Sequence, residues 1–402
     1  MRVTFIGHSG FLVETATAYF LFDYFHGGIP ALDRDKPLVV FASHKHRDHY
    51  NPEIFNLFED YPWVCFVLDK DCGIKWKIRE WMDRGMDLTV KLIRVRKNQK
   101  YDLVMPGEIL GYVTREAAER TGLPAGVPVV ATSNDKAVEG LGTGCMGDTT
   151  ACLSLGTYTT AMMEGKENLK GTSYAWPKFS CVPNKYLYDS NGIRRGMWTI
   201  SWFREVLGES YIKMAEERGM SAEELLSEEA AKVPTGSDGL MTVLDWLAPV
   251  DTRYKKGIMI GFDGRTTRGH IYRSLLEAVA MTMKKHVDDM SNEVGVTLDK
   301  MIVTGGGSNS DLFMQILADV FNMSTVRNEV NGAAGLGSAI CAAVAAGVYG
   351  GFDEAVEGMV RIKDTFEPDP EHVKLYQKML PIYLGITEHT DEVLKKTYEI
   401  FS

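Results

Sequence analysis

Residues 301–322 read MIVTGGGSNSDLFMQILADVFN, and this string constrains the fold more than any other in the chain. A hydrophobic strand runs into three consecutive glycines and then into a helical period. With no side chain at the joint, backbone can approach a flat ligand closely. The start of the helix then aims its unpaired N–H groups and partial positive charge at that ligand. Joints of this kind are made where strands and helices alternate, so the string predicts an α/β fold.

The remainder of the chain has two textures. In the first hundred residues RVTFIGHSGFLVET, AYFLFDY and PLVVFASH are short β-branched and aromatic runs broken by Gly, Pro and Asp, the pattern of sheet strands. NPEIFNLFEDYP predicts one short helix capped by Asn51 with Pro52 at its first position, and DLTVKLIRV predicts another strand. Further on, amphipathic helical patterns such as HIYRSLLEAVAMTMKKHVDDMSNEVG and DPEHVKLYQKMLPIYLGITEHTDEVLKKTYEIF alternate with Gly-rich turns. The change of texture places a boundary near Leu103. No repeat of 20–50 residues and no low-complexity linker is present.

Composition removes several classes of partner. At 402 residues with 45% hydrophobic side chains the chain can bury a sizeable core, as a soluble globular protein does. A formal net charge of -10 repels a phosphate backbone, and no Lys/Arg block supplies a basic stripe, so nucleic acid is not an expected partner. The longest small-apolar run, LGSAICAAVAAGVY, has 14 residues, too few to span a bilayer. MRVTFIGHSG lacks the pattern of a secretory signal, and a cytoplasmic location is expected. Six cysteines without a C-x-x-C pair fit reduced thiols.

Residues 42–51, ASHKHRDHYN, place His44, His46, Asp48 and His49 in an H-x-H-x-D-H spacing. Two imidazoles at a strand end, followed by a carboxylate and a third imidazole on a turn, can surround transition-metal ions and activate a water. A polar turn whose histidines cap a helix is the bland alternative. With FIGHSGFLVET and LFDY ahead of it, the motif resembles the metallo-β-lactamase-fold hydrolases over about residues 1–103, roughly the first half of such a domain. That resemblance implies a Zn²⁺ site, but the family also takes histidines from the following half. Here only nine His exist and none lies between His49 and His270. The metal site is therefore expected to be an incomplete remnant. His270, His286, His372 and His389 fall in or beside helical patterns, where solvent-facing or capping roles are expected.

GVPVVATSNDKAVEGLG reads as a strand running into a helix, with Asp135 presented between them. A carboxylate held there can take a proton from a bound hydroxyl during phosphoryl transfer, or can simply cap the helix. CLSLGTYTTA carries a Ser-x-Gly-Thr turn, in which Gly156 leaves backbone N–H groups and the Thr157 hydroxyl open to phosphate oxygens. KGIMIGFDGRTTRGHIYRSLLEAVA is a strand, a glycine loop and a helix. In order and separation these stretches, with MIVTGGGSNS, resemble the FGGY-type carbohydrate kinases of the actin-like ATPase superfamily, over about residues 104–402.

The resemblance implies Asp135 as catalytic base, Gly156 and Thr157 as the second phosphate turn, Gly261 on the loop after the interdomain strand, and Gly305, Gly306, Gly307 and Ser310 in the adenosine motif. It further implies ATP, Mg²⁺ and a sugar or polyol substrate. Complete members begin with an Asp-x-Gly-Thr turn, which this sequence lacks. The implied fold class is an actin-like ATPase (ribonuclease H-like) nucleotide-binding lobe preceded by a partial metallo-β-lactamase-like αββα segment. Its domains would be residues 1–103, the end of a kinase N-terminal lobe at 104–150, and a C-terminal lobe at 151–402. The half hydrolase would leave one sheet face without its packing partner, so low stability is expected there and a homo-oligomer stays open as a partner state. Three readings follow: a carbohydrate kinase weakened by the missing turn, a metal-dependent hydrolase, and a non-catalytic nucleotide-binding fusion.

Overall fold

The computed structural model describes residues 2–7, 10–42, 50–58, 61–69, 89–93, 104–249 and 252–401. The chain divides into two compact units, Met1–Asp102 and Leu103–Ser402.

In the first unit β1 (Arg2–Gly7), β2 (Gly10–Glu14), β3 (Tyr19–Phe22), β4 (Leu38–Ala42), β5 (Val64–Asp69) and β6 (Thr89–Ile93) form one sheet in chain order. The first three are antiparallel and β3 to β6 are parallel. Cross-strand register sorts the side chains by face. Leu12, Leu21, Val40 and Phe66 lie in one row, all buried, and Ile54 and Phe55 pack on that face. One residue away, Phe11, Phe22 and Phe41 form the opposite row, where Phe11 and Phe22 are 42% and 37% exposed and Phe22 stacks on Phe41 at 4.7 Å.

The helix expected from Pro52 onward is shorter than its sequence suggests, running only Ile54–Leu57. Asn51 turns the chain instead of capping a helix: its Oδ1 accepts from Glu53 N at 3.0 Å and its Nδ2 donates to Phe25 O at 2.6 Å. That second bond fastens Asn51 to the segment after β3, which leaves Pro52 and Glu53 in the turn.

The strands of the second unit are β7 (Ile109–Tyr112), β8 (Pro128–Val130), β9 (Thr150–Leu155), β10 (Thr159–Gly165), β11 (Trp176–Phe179), β12 (Tyr186–Asp189), β13 (Met241–Val243), β14 (Ile258–Ile260), β15 (Lys300–Thr304), β16 (Ser324–Asn328) and β17 (Ile362–Phe366). Seven of them make the main sheet in the order β11-β12-β10-β9-β15-β16-β17, while β7 pairs with β8 and β13 with β14. β9, β15 and β16 run parallel at its centre. They are covered on both faces, as parallel strands need. Ala151, Leu153, Leu155, Met301 and Val303 point into a core shared with the helices Arg268–Val294 and Asp311–Phe321. Their neighbours Cys152 and Ile302, with Val326, point the other way, toward the helices Asp135–Thr143 and Ala333–Ala345.

The strand expected ahead of Asp135 is only Pro128–Val130, in a two-stranded ribbon with β7 rather than in the large sheet. The ribbon leaves Leu110, Tyr112 and Val129 exposed. Its inner end does pack: Val130 lies against the core that holds the helices Asp135–Thr143 and Ala333–Ala345. No helix among the described residues is long and apolar enough to cross a membrane.

The helices Asp135–Thr143 and Ala333–Ala345 cross at two glycines. A Cβ on Gly142 would stand 1.8 Å from Ala333 O, and one on Gly337 would stand 2.0 Å from Val138 O. Only hydrogen fits at either place. Gly337→Leu is therefore expected to cost about 3 kcal/mol, the upper range for overpacking. At the exposed Gly335 on the same helix an added Cβ meets nothing within 4 Å, so Gly335→Leu should be neutral or slightly stabilising. Urea unfolding of both variants checks the contrast.

Candidate functional site

The β9–β10 hairpin is built from buried strands, and its turn is the part that reaches solvent. Thr157 and Tyr158 are exposed and Gly156 is half-buried. The turn after β15 packs directly against it. Gly305 has φ +88°, and a Cβ there would lie 2.6 Å from Leu155 O; one on Gly307 would lie 2.8 Å from Leu155 Cδ1. Gly306 has nothing within 4 Å. The three glycines thus divide their work: Gly305 and Gly307 allow contact with β9, and Gly306 leaves the outer surface flat.

Polar side chains hold this second turn in place. Asn331 Oδ1 accepts from Gly305 N at 3.1 Å, and Arg327 donates to Ser308 O at 2.8 Å, to Asp311 Oδ1 at 2.9 Å and to Asp364 Oδ2 at 2.9 Å. Arg327 is buried, so its planar fork is fixed by three acceptors at once. Ser310 caps the helix Asp311–Phe321 by accepting from Phe313 N at 3.3 Å, and its Oγ lies 3.3 Å from Ser227 Oγ. Sequence reading missed Asn331 and Arg327, because each acts across some 20 residues of chain.

Asp135 is the first residue of its helix, exposed, while Asn134 provides the cap by accepting from Ala137 N. The capping role open to Asp135 thus falls to its neighbour. The next turn of the helix is anchored to β9: Lys136 Nζ donates to Glu139 Oε2 at 2.7 Å and to Ser154 Oγ at 2.8 Å, and Ser154 Oγ donates to Glu139 Oε1 at 2.7 Å. Ser154 lies two residues before Gly156. An exposed carboxylate and an exposed glycine-threonine turn are thereby joined through a closed ring of three polar side chains.

Asp189, at the end of β12, is a further residue near this carboxylate that the sequence did not single out. One of its oxygens pairs with Lys178, and its Oδ1 is buried without a partner. Burial pushes its carboxyl above the ordinary range; Lys178 opposes the shift and the charge of Asp135 adds to it.

Gly261 is exposed with φ +97°, and a Cβ there would come within 2.4 Å of Gly239 O. The loop it touches is tied down by Glu277, which accepts from Gly236 N, Ser237 Oγ and Tyr376 OH at 2.8 Å each and from Arg273 Nε at 2.9 Å. Glu229 connects this region to the helix that carries Ser227, through paired bonds from Arg268 at 2.6 Å. The structure therefore brings Gly156, Thr157, Gly305, Gly306 and Gly307 into one patch with Asp135 beside it. Ser310 follows the second turn and meets Ser227 of the helix Ala222–Ala230, whereas Gly261 packs against Gly239.

His44, His46, Asp48 and His49 lie outside the described residues. Among the described residues no group of three or more His, Cys, Asp or Glu could hold a metal ion. Of the remaining histidines, His270 caps its helix by bonding Thr267 Oγ1 at 2.9 Å, and His389 is exposed. His286 departs from the solvent-facing role expected of it. Its ring is largely buried, which pushes its pKa down and keeps it neutral, and its Nδ1 has no partner.

The three-layer lobe, with parallel strands covered on both faces and two glycine turns meeting at one end, has the actin-like ATPase fold. Residues 151–346 match the C-terminal domain of the FGGY family of carbohydrate kinases, and residues 2–112 match the beta-lactamase superfamily domain. An uncharacterized sugar kinase of Escherichia coli K12, YgcE, is 44% identical over 361 residues, covering 90% of this chain and 71% of its own length. The chain belongs to the FGGY family of carbohydrate kinases. The autoinducer-2 kinase of Escherichia coli K12 is 29% identical, over 88% of this chain and 70% of that protein. Among solved structures, xylulose kinase from Rhodospirillum rubrum is similar with a TM-score of 0.60 and 26% identity, over 73% of this chain. The chain spans 57% of that kinase's length. Glycerol kinase from Plasmodium falciparum shares the fold at a TM-score of 0.60 and 18% identity.

Open space at Gly306 makes it the sharpest probe of this surface. Gly306→Asp is expected to fold normally, because the added Cβ meets nothing within 4 Å, and to lose ADP binding, because its carboxylate stands where the resemblance implies that the nucleotide lies. Calorimetry beside thermal unfolding checks both halves. Wild-type affinity in the variant would place the nucleotide elsewhere.

Proposed function

We propose that the chain transfers the terminal phosphoryl group of ATP to a hydroxyl of a sugar or polyol, with Asp135 as general base. The observation that carries this reading is the ring Lys136–Glu139–Ser154, which fixes the Asp135 helix to the strand ending in Gly156 and Thr157. The nucleotide's phosphates lie against the Gly156–Thr157 turn, where backbone N–H groups and the Thr157 hydroxyl meet their oxygens. Its adenosine half lies over Gly305–Gly307, bordered by Ser310 and Gly261. Asp135 takes the proton of the acceptor hydroxyl as the new O–P bond forms and the bond to the departing ADP oxygen breaks. Mg²⁺, accompanying the nucleotide, would supply charge neutralisation, and the exposed oxygens of Asp135 and Thr157 are of the hard type it prefers.

Turnover is expected to be low. The sequence holds no Asp-x-Gly-Thr turn, so one set of contacts to the developing phosphoryl charge is missing, and such electrostatic stabilisation is usually the largest catalytic term. A small-molecule substrate, a cytoplasmic setting and no nucleic-acid partner accompany this reading, in keeping with the net charge of -10. Zn²⁺ at the 44–49 motif would be held weakly.

A coupled ADP-release assay over pentoses, hexoses, ketoses and polyols, run beside Asp135→Asn, tests the proposal. At least one acceptor should raise ADP release above background, well below the median enzyme turnover of about 10 s⁻¹. The variant should lose about 10²-fold or more of that increment, the usual scale of general-base assistance, while still binding ADP. An increment untouched by the substitution would remove Asp135 from the role. Close to two tightly bound transition metals per chain by elemental analysis would favour the hydrolase reading instead.

A further inference from the structure

A cavity of about 310 Å³ lies in the second unit, and none of its lining residues belongs to the turns or the carboxylate described above. One wall is Gly192–Arg194, and the others come from Val243–Leu247, Lys255, the middle of the helix Arg268–Val294 and the helix Pro370–Phe401. Along the long helix, Thr282 and His286 stand 14 and 18 residues beyond Arg268. At 1.5 Å per residue that is roughly 21–27 Å from the end bordering the nucleotide surface. The wall at Ile193 is tied to Thr159, at the start of β10, by two backbone hydrogen bonds of 2.8 and 3.1 Å.

One buried polar atom of the wall is unfilled: His286 Nδ1 has no partner. Behind the wall, Asp391 accepts from Tyr254 OH at 3.0 Å and pairs with the lining Lys255 at 3.9 Å. Asp245 also lines the space; burial pushes its carboxyl up, Lys255 opposes this and Asp391 reinforces it. Buried polar groups are ordinarily satisfied, so unfilled ones facing a cavity point to a missing occupant or to water.

The chemistry of the wall selects among occupants. Lys255 stands close to two carboxylates, with Arg194 also in the lining, so a strongly charged ligand of either sign meets a like charge. The Asp245 carboxylate in the lining accepts hydrogen bonds only, which suits a donor. Neutral His286 needs a partner that suits whichever tautomer it adopts, and a hydroxyl can both donate and accept. Leu244, Leu247 and Leu384 supply an apolar side. The volume is at the low end of ligand pockets, which limits the occupant to a small molecule.

We propose that this cavity is a second small-molecule site, taking a neutral polyhydroxyl compound of pentitol size that donates hydroxyls to Asp245 and His286. Xylitol is the probe, with methylammonium and inorganic phosphate as charged controls. Ligand-observed NMR titrations use the full chain carrying Asp135→Ala, which removes that carboxylate as a hydrogen-bonding partner. Xylitol should bind in this background and neither control should. Adding Asp245→Leu should weaken binding by about tenfold or more, as loss of a hydrogen bond to a charged group does. Adding Thr387→Trp, which fills the cavity from the rim of the C-terminal helix, should abolish it. ADP binding by each variant verifies folding, and if Asp245→Leu fails to fold, Thr387→Trp alone decides. No xylitol signal, unchanged affinity with Thr387→Trp, or better binding of either charged control would overturn the proposal.

Discussion

Two glycines hold the site together. Gly142 and Gly337 let the helices Asp135–Thr143 and Ala333–Ala345 come close enough for backbone to touch backbone. Asn328 Nδ2 secures the same helix from the sheet side by donating to Thr143 O at 2.9 Å. Without that approach the helix would ride outward by the thickness of a side chain. Lys136 would then lose Ser154, and Asp135 would lose its fixed place near the Gly156–Thr157 turn. General-base chemistry tolerates such displacement poorly, since it depends on hydrogen-bond reach to one proton.

Around this clasp the chain is unevenly covered. The central strands of the large sheet are buried on both faces, and the carboxylate of Glu277 takes four hydrogen bonds in the interior. By contrast, the β7–β8 ribbon exposes Leu110, Tyr112 and Val129, and one face of the first unit's sheet exposes Phe11 and Phe22. Both are apolar sheet faces of the kind that complete domains cover with another layer. The matches reflect the same unevenness. A beta-lactamase superfamily domain is matched over residues 2–112, and the kinase C-terminal domain begins only at residue 151. The 90% of the chain matched by the YgcE relative nonetheless reaches well into the first unit.

Legibility in the sequence followed the range of the interactions. Strand–glycine–helix joints are local, so the turns at Gly156 and Gly305–Gly307 and the helices following Gly261 and Ser310 could be read directly. The first strands of the other sheet were equally plain as β-branched and aromatic runs in RVTFIGHSGFLVET and PLVVFASH. Interactions between distant segments were not legible. Arg327 bracing Ser308, Asn331 holding Gly305 and Ser154 closing the ring with Lys136 and Glu139 carry no signature in their own neighbourhoods. One local reading failed for a tertiary reason: Asn51 was drawn into a turn by Phe25. The strand before Asp135 is present but pairs with β7 in a separate ribbon, a partner its own sequence does not name. His286 looked like one more polar position on a helix; the segments packed over it leave it half-buried.

If the Asp135 helix and the two glycine turns act as one rigid cradle, ADP orders all three together. Hydrogen–deuterium exchange of the full chain with and without saturating ADP should then show slowed exchange at 154–158, at 305–310 and at 135–140, the last because the Lys136–Glu139–Ser154 ring transmits ordering of the turn to the helix. Protection confined to 305–310, with 154–158 and 135–140 unchanged, would contradict it.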